Sequence, residues 1–385
     1  APNTRAAQVV ALTFDGGASD AAVAPILATL DRYDVPATFF VTGAFARTYP
    51  DAVLRALGKA GAYRAQTAMD GRPDFEAAIR AITEVSRVCG ATGFMVWCQA
   101  ACTLYMEHSG NPALSGERMA RHVDGSTLGG TALSNPMKAL TGIEPMLLKA
   151  RRVDGGYVVN GTLPWVSNLG RDHYFGAAAT VMDDDGPSHE VMFMVPCDDP
   201  AVELRDCPSF GGMEGTGTWG VRLTDYVVSA DRVIADPVRP FLDKVRASFI
   251  LLQVGMGLGV AQGAIETMWD VEQQLGHVNQ FLDDRPSDLQ AELDGLTART
   301  MALARTVSAG EKPALLDVLD VRAHASELAL RAAQSALLHQ GARGYLMTSS
   351  VQRRVRESHF VAIVTPALKH LRREMAKLSS PVMPS

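Results

Sequence analysis

Residues 154–168 read Asp154-Gly155-Gly156-Tyr157-Val158-Val159-Asn160-Gly161-Thr162-Leu163-Pro164-Trp165-Val166-Ser167-Asn168. Asp-Gly-Gly is a turn signal, and the β-branched and aromatic run after it suits a strand. Further strand-like runs follow at 174–181, 191–195 and 221–228, divided by turn signals at 183–186 and at Gly211-Gly212. Residues 129–236 therefore read as a β domain. Helical spacing precedes it at 75–89, 93–107 and 115–123, with Phe75, Ile79, Ile82, Val85 and Val88 on one stripe. Long helical segments follow at 246–275, 286–308, 312–340 and 351–378. An order of helices, a β domain and four long helices restricts the fold sharply.

The start of the chain has a different texture. Residues 8–15 suit a buried strand ended by Gly16-Gly17, and 20–33 carry helical spacing. A second strand at 37–42 and a helix at 50–59 complete an α/β beginning. The expected class is multidomain α+β: an α/β fragment over 1–62, a helical domain over 63–128, the β domain over 129–236 and a helical bundle over 237–385.

The 385 residues carry a net charge of -6 with both signs mixed, which argues against a nucleic-acid binder. No uninterrupted apolar run approaches the roughly 20 residues of a membrane span, and 249–264 reads as a buried helix. No basic-then-apolar signal pattern is read at Ala1, and the missing initiating Met is taken to mean a removed segment. The five cysteines are an odd, scattered set without metal-ligand spacing. Buried reduced thiols, a cytoplasmic setting and no metal are expected.

The β domain carries the chemistry. A planar redox ring needs a flat apolar wall and hydrogen-bond donors at its edge. Leu133, Ser134, Trp165 and Ser167, presented from neighbouring loops, offer these properties. Taken alone, Trp165 reads more readily as a core residue than as a cofactor wall, and both serines as turn residues.

Residues 154–168 resemble the acyl-CoA dehydrogenase signature, in which Asn-Gly-Thr and then Trp-x-Ser/Thr-Asn lead into a flavin site. Residues 130–136 are similar to that family's segment ending Thr-Glu-Pro, with Ser134-Asn135-Pro136 in its place. Residues 213–237 look like the end of its β domain, 75–104 like a helix pair of its N-terminal domain, and 340–345 like its Gly-Gly-x-Gly turn. The resemblance spans about residues 75–380. It implies FAD held by Leu133, Ser134, Trp165, Ser167, Gly341 and Gly344, and an acyl-CoA-like substrate undergoing alpha,beta-dehydrogenation. It also implies a homodimer or homotetramer, served by an electron-transfer flavoprotein or a flavin reductase.

The family's reaction needs a carboxylate base. Counting nine residues from Arg356 puts Thr365 where that Glu belongs, and the alternative position on the first bundle helix holds Phe249 or Ile250. The nearest ionisable groups are Asp243, Arg246, Glu357 and His359. The Arg-x-x-Phe-Gly segment that grips a neighbour's flavin falls on 275–279, which reads Leu-Gly-His-Val-Asn. A member without the base points alternatively to a flavin-dependent monooxygenase, or to a non-catalytic homologue.

Thr13-Phe14-Asp15-Gly16-Gly17, the run Val35-Pro36-Ala37-Thr38-Phe39-Phe40-Val41-Thr42-Gly43 and Tyr49-Pro50-Asp51 resemble polysaccharide deacetylases. Asp15 corresponds to that family's base. Its His-x-x-x-His zinc ligands have no counterpart, since no His precedes His108. A hybrid chain, joined between 45 and 75, is the expectation.

Overall fold

The computed structural model describes residues 12–15, 37–40 and 49–379. Strands β1 (Leu12–Asp15) and β2 (Ala37–Phe40) pair in parallel, with Leu12 opposite Ala37 and Asp15 opposite Phe40. The helix expected at 20–33 lies outside the described residues. Helix α1 (Pro50–Lys59) opens on Pro, whose missing N–H costs nothing in a first turn. Its Leu54 is fully buried.

Helix α2 (Phe75–Val88) is N-capped by Asp74, which accepts from the Ala77 N–H at 2.9 Å. Phe75, Ala78, Ile79 and Ile82 form its buried stripe, while Val88 is exposed at the helix end. Helix α3 (Gly90–His108) is buried on every side through Met106, as an all-round apolar helix must be. The shorter α4 (Glu117–Val123) closes this layer.

Next comes β3 (Gly129–Thr131), and then a short helix where loop residues were expected, α5 (Ser134–Leu140). The strands β4 (Lys149–Val153), β5 (Gly156–Val166), β6 (Tyr174–Asp183), β7 (Gly186–Pro196), β8 (Val202–Arg205), β9 (Trp219–Ser229) and β10 (Val233–Ala235) follow. They form an eight-stranded sheet in the order β10-β7-β6-β4-β5-β9-β8, with β3 alongside β6. One core lies within the sheet, around Phe175, Phe193, Tyr157 and Tyr226. Ala178, Met192 and Met194 point the other way and join the helical core. Strand β6 is therefore buried on both faces along most of its length.

The C-terminal helices are α6 (Val238–Asn279), α7 (Pro286–Ser308), α8 (Leu315–Gln340), α9 (Ser350–Ile363) and α10 (Leu368–Ser379). Helix α6 is long and apolar enough to cross a membrane, but its most apolar window is 94% buried inside the protein. Its glycines serve close packing. A Cβ on Gly259 would lie 2.3 Å from the Thr83 carbonyl oxygen, and one on Gly257 2.8 Å from that of Ala325. The single helix expected at 351–378 is two, broken between Ile363 and Leu368. Pro366 offers no N–H, and its ring disfavours helical geometry at Thr365. This is the multidomain α+β architecture read from the sequence.

Candidate functional site

Two loops of the sheet meet. Thr131 at the end of β3 bridges Ser167 just beyond β5. Asn168, in the left-handed region at φ 61°, donates from its side chain to the Gly129 carbonyl at 2.7 Å. Its own N–H reaches the Thr216 carbonyl at 2.9 Å. A ladder of hydroxyls runs along this edge: Ser167 to Thr218 at 2.7 Å, then Thr218 to Thr216 at 2.8 Å.

Strand alternation buries Val166 and turns Trp165 outward. The indole is 59% exposed and meets Phe210 edge-on, with ring centroids 6.0 Å apart. Of its two sequence readings, the structure rejects the core one.

Leu133 is buried, and the following Ser134 starts α5. Ser134 Oγ and Thr365 Oγ1 are 2.9 Å apart. The place where the resemblance puts a catalytic Glu thus touches the segment where it puts the flavin edge. Gln253 on α6 donates to the Thr365 carbonyl at 3.0 Å and steadies the turn.

Beside this edge lies an open cavity of about 200 Å³. Leu133, Met137, Phe249, Ile250, Leu319 and Leu371 form its apolar wall. Its polar lining includes Thr141, Asp243, Arg246, His370 and Glu374, with Arg246 and Glu374 paired at 3.7 Å.

His370, which sequence reasoning did not single out, is a further ionisable group in this lining. It is 6% exposed, and its Nε2 lies 3.2 Å from Thr141 Oγ1. The Thr141 hydroxyl proton is committed to the carbonyls of Met137 (2.8 Å) and Lys138 (3.2 Å). His370 Nε2 must therefore carry the donated proton. That leaves the lone pair of a neutral ring on Nδ1, which is buried and without a hydrogen-bond partner. Burial pushes the His370 pKa down, and the charges of Arg246, Arg373 and Lys377 add to this against Glu374. The ring is neutral at neutral pH and able to accept a proton.

The two ionisable candidates on α9 are not part of this cavity's lining. Glu357 is buried and accepts the Gly90 N–H at 3.0 Å. It caps the start of α3, where an anion meets the positive end of the helix. Burial raises its pKa against the opposing charges of Arg353 and Arg354. His359 is exposed and pairs through Nδ1 with the Val355 carbonyl of its own helix at 2.6 Å.

Gly341 caps α8 at φ 60°, and Gly344 follows in a 3₁₀ turn. Leu319 at the cavity and Gly341 lie on one helix, 22 residues apart, or about 33 Å at 1.5 Å per residue. Within one chain these glycines stand away from Leu133 and Ser134.

Close to Asn168, whose carbonyl lies 3.0 Å from His173 Nδ1, α1 docks through a polar cluster. His173 Nε2 lies 3.1 Å from Asp51 Oδ2, and Arg55 donates to Asp172 at 2.7 Å and to the Ser126 carbonyl at 2.6 Å. Asp51, Asp172 and His173 lie close enough together to face one ion, but Arg55 and His173 already supply their countercharge.

Residues 247–372 match the family model described as acyl-CoA dehydrogenase, C-terminal domain, and residues 3–64 match polysaccharide deacetylase. The probable acyl-CoA dehydrogenase YngJ of Bacillus subtilis is 25% identical over 298 residues, covering 74% of this chain and 77% of that protein. A glutaryl-CoA dehydrogenase of Mycobacterium smegmatis, solved with FADH2, superposes with a TM-score of 0.73 at 16% identity, covering 95% of this chain and 96% of its own. The HsaA monooxygenase of M. tuberculosis does so with a TM-score of 0.68 at 18% identity, covering 95% and 98%. Helical layer, eight-stranded sheet and long-helix bundle give the chain the fold of these proteins, and it is similar to acyl-CoA dehydrogenases over about three-quarters of its length, with the family's C-terminal domain matched at residues 247–372.

Proposed function

We propose that this protein binds FAD and oxidises an apolar, acyl-CoA-like substrate, with His370 as the proton acceptor in place of the absent Glu. One observation carries the reading: His370, which lines the cavity bordered by Leu133 next to Ser134, has a buried imidazole nitrogen without a hydrogen-bond partner. The residues fit the cofactor. Trp165 offers an exposed flat face, Leu133 an apolar edge, and Ser134 and Ser167 hydroxyl groups.

Bound flavin supplies a two-electron acceptor for the hydride leaving the substrate. The chain's own residues do the rest. The apolar wall excludes water from the acyl group, His370 Nδ1 takes the proton, and Thr141 fixes the tautomer that makes this possible. Thr365 cannot take a proton near neutral pH; its part is to hold Ser134.

Completing the FAD site calls for a second copy of the chain. Gly341 and Gly344 stand too far from Ser134 to reach the same ring, and Leu338, Tyr345, Leu346 and Met347 beside them are exposed. A homodimer or homotetramer that brings a partner's 341–344 turn to this site fits both facts. An electron-transfer flavoprotein then serves as the outlet for the electrons.

A second reading is a monooxygenase using reduced flavin from a flavin reductase. It is favoured by Thr365 standing where dehydrogenation requires a carboxylate, and by the likeness to a monooxygenase structure. Anaerobic addition of butyryl-CoA to the FAD-loaded protein separates the two. Bleaching of the flavin supports dehydrogenation. No bleaching, with oxygen uptake once the flavin is reduced, overturns it in favour of hydroxylation.

A further inference from the structure

Arg322 on α8 is fully buried, among the largest side chains in the protein to be so. Its pKa is pulled down to about 9 by burial alone, with no charged group contributing. A buried cation without a carboxylate costs several kcal/mol and needs a compensating arrangement. That arrangement is a fork of three contacts. Nε donates to Gln253 Oε1 on α6 at 2.9 Å, Nη1 to Ser326 Oγ one turn along α8, and Nη2 to the Val361 carbonyl at 2.8 Å.

Val361 lies in the last turn of α9, where the helix dipole leaves a partial negative charge and carbonyls lack intrahelical partners. In a continuing helix the Val361 carbonyl would take the Thr365 N–H, but α9 ends at Ile363, ahead of Pro366, and no such bond forms within the helix. Arg322 caps α9 from another helix. Its second contact, Gln253, passes the constraint onward by donating to the Thr365 carbonyl at 3.0 Å. Thr365 in turn meets Ser134 at 2.9 Å.

We propose that Arg322 is a positioning residue for the flavin-facing edge. It fixes the 361–366 turn through Val361 and Gln253, so that the Thr365 hydroxyl holds Ser134 at the edge of the cofactor. This role rests on the reading of Ser134 as a flavin contact. The planar fork matters as much as the charge, because an ammonium cannot serve three acceptors in one plane.

The test is a double-mutant cycle, Arg322→Lys, Thr365→Val and both together, read by FAD fluorescence titration and the band shape of the bound FAD spectrum. Arg322→Lys breaks up the three-contact fork and Thr365→Val removes the Ser134 contact, and each is expected to weaken FAD binding about five- to tenfold. Because both act on the same contact, the double variant binds FAD no more weakly than Arg322→Lys alone. Both single variants also alter the flavin bands in the same direction. Effects that multiply, or an unchanged FAD spectrum in Arg322→Lys, overturn the proposal. Should Arg322→Lys fail to fold, Gln253→Glu replaces it in the same cycle, with the same two outcomes. A wild-type protein that takes up no FAD refutes the flavin reading itself, which is a different result.

Discussion

Ser134 Oγ and Thr365 Oγ1 lie 2.9 Å apart although 231 residues separate them in the chain. This contact joins the β domain to the break between α9 and α10. Replacing Ser134 with Ala removes the pair at a partly exposed position, so stability changes little. FAD affinity is expected to fall about threefold to tenfold, the worth of one hydrogen bond, in a fluorescence titration. Unchanged affinity would detach this edge from the cofactor.

His370→Gln keeps the volume and the hydrogen bond to Thr141 but removes the basic lone pair. Turnover is expected to drop about 10²- to 10⁴-fold with substrate KM nearly constant. In the wild type the base works only when neutral, and its pKa lies below 6.5. Activity therefore falls as pH drops through that lowered value and is level around neutrality. In His370→Gln this acid limb disappears from the kcat profile. A limb that survives assigns the proton to another group.

Trp165 is a surface residue whose ring touches Phe210. Trp165→Ala should leave the melting temperature within a few degrees of wild type and weaken FAD binding about tenfold. Equal affinity in variant and wild type would remove the indole from the cofactor wall.

The docking of α1 carries a pH window. Burial works against a charged His173, but the hydrogen bond and charge of Asp51 overcome it and raise its pKa above 6.5. Burial likewise works upward on Asp51, and His173 and Arg55 outweigh it, so its pKa lies below 3.8. The His173 contribution is complete below pH 6.5 and is lost as pH rises through the raised value. The Asp51 contribution is present above pH 3.8 and is lost as pH falls through the lowered one. Amide-exchange protection of α1 is expected to be highest between these limits, after correction for intrinsic exchange, and to lose its alkaline-side decline in His173→Gln. A wild-type profile matching the variant would refute the linkage.

Much of the architecture was legible because the periodicities are strong. The Asp154-Gly155-Gly156 turn sits between β4 and β5, and the strands it announced are present. The apolar stretch 249–264 is buried within α6, whose glycines looked like interruptions and are helix contacts. The break before Leu368 was missed because apolar spacing continues across it, although Pro366 carried the signal. Val88 fits the α2 stripe by spacing yet is exposed, since the helix ends there. His370 left no trace. A lone His in the basic run Lys369-His370-Leu371-Arg372-Arg373 has no motif, and only its pairing with Thr141, 229 residues away, defines the free nitrogen. Arg322 was equally silent, because burial of a cation is not a pattern property.

Trp165 and Ser134 border a flavin, and His370, in the lining of the adjoining cavity, keeps a free lone pair. A visible-absorption titration of the purified protein with FAD tests this arrangement most directly. Saturable uptake, with perturbed flavin bands that Trp165→Ala and Ser134→Ala both weaken, is the predicted result. Spectra that remain those of free FAD at every protein concentration would contradict it.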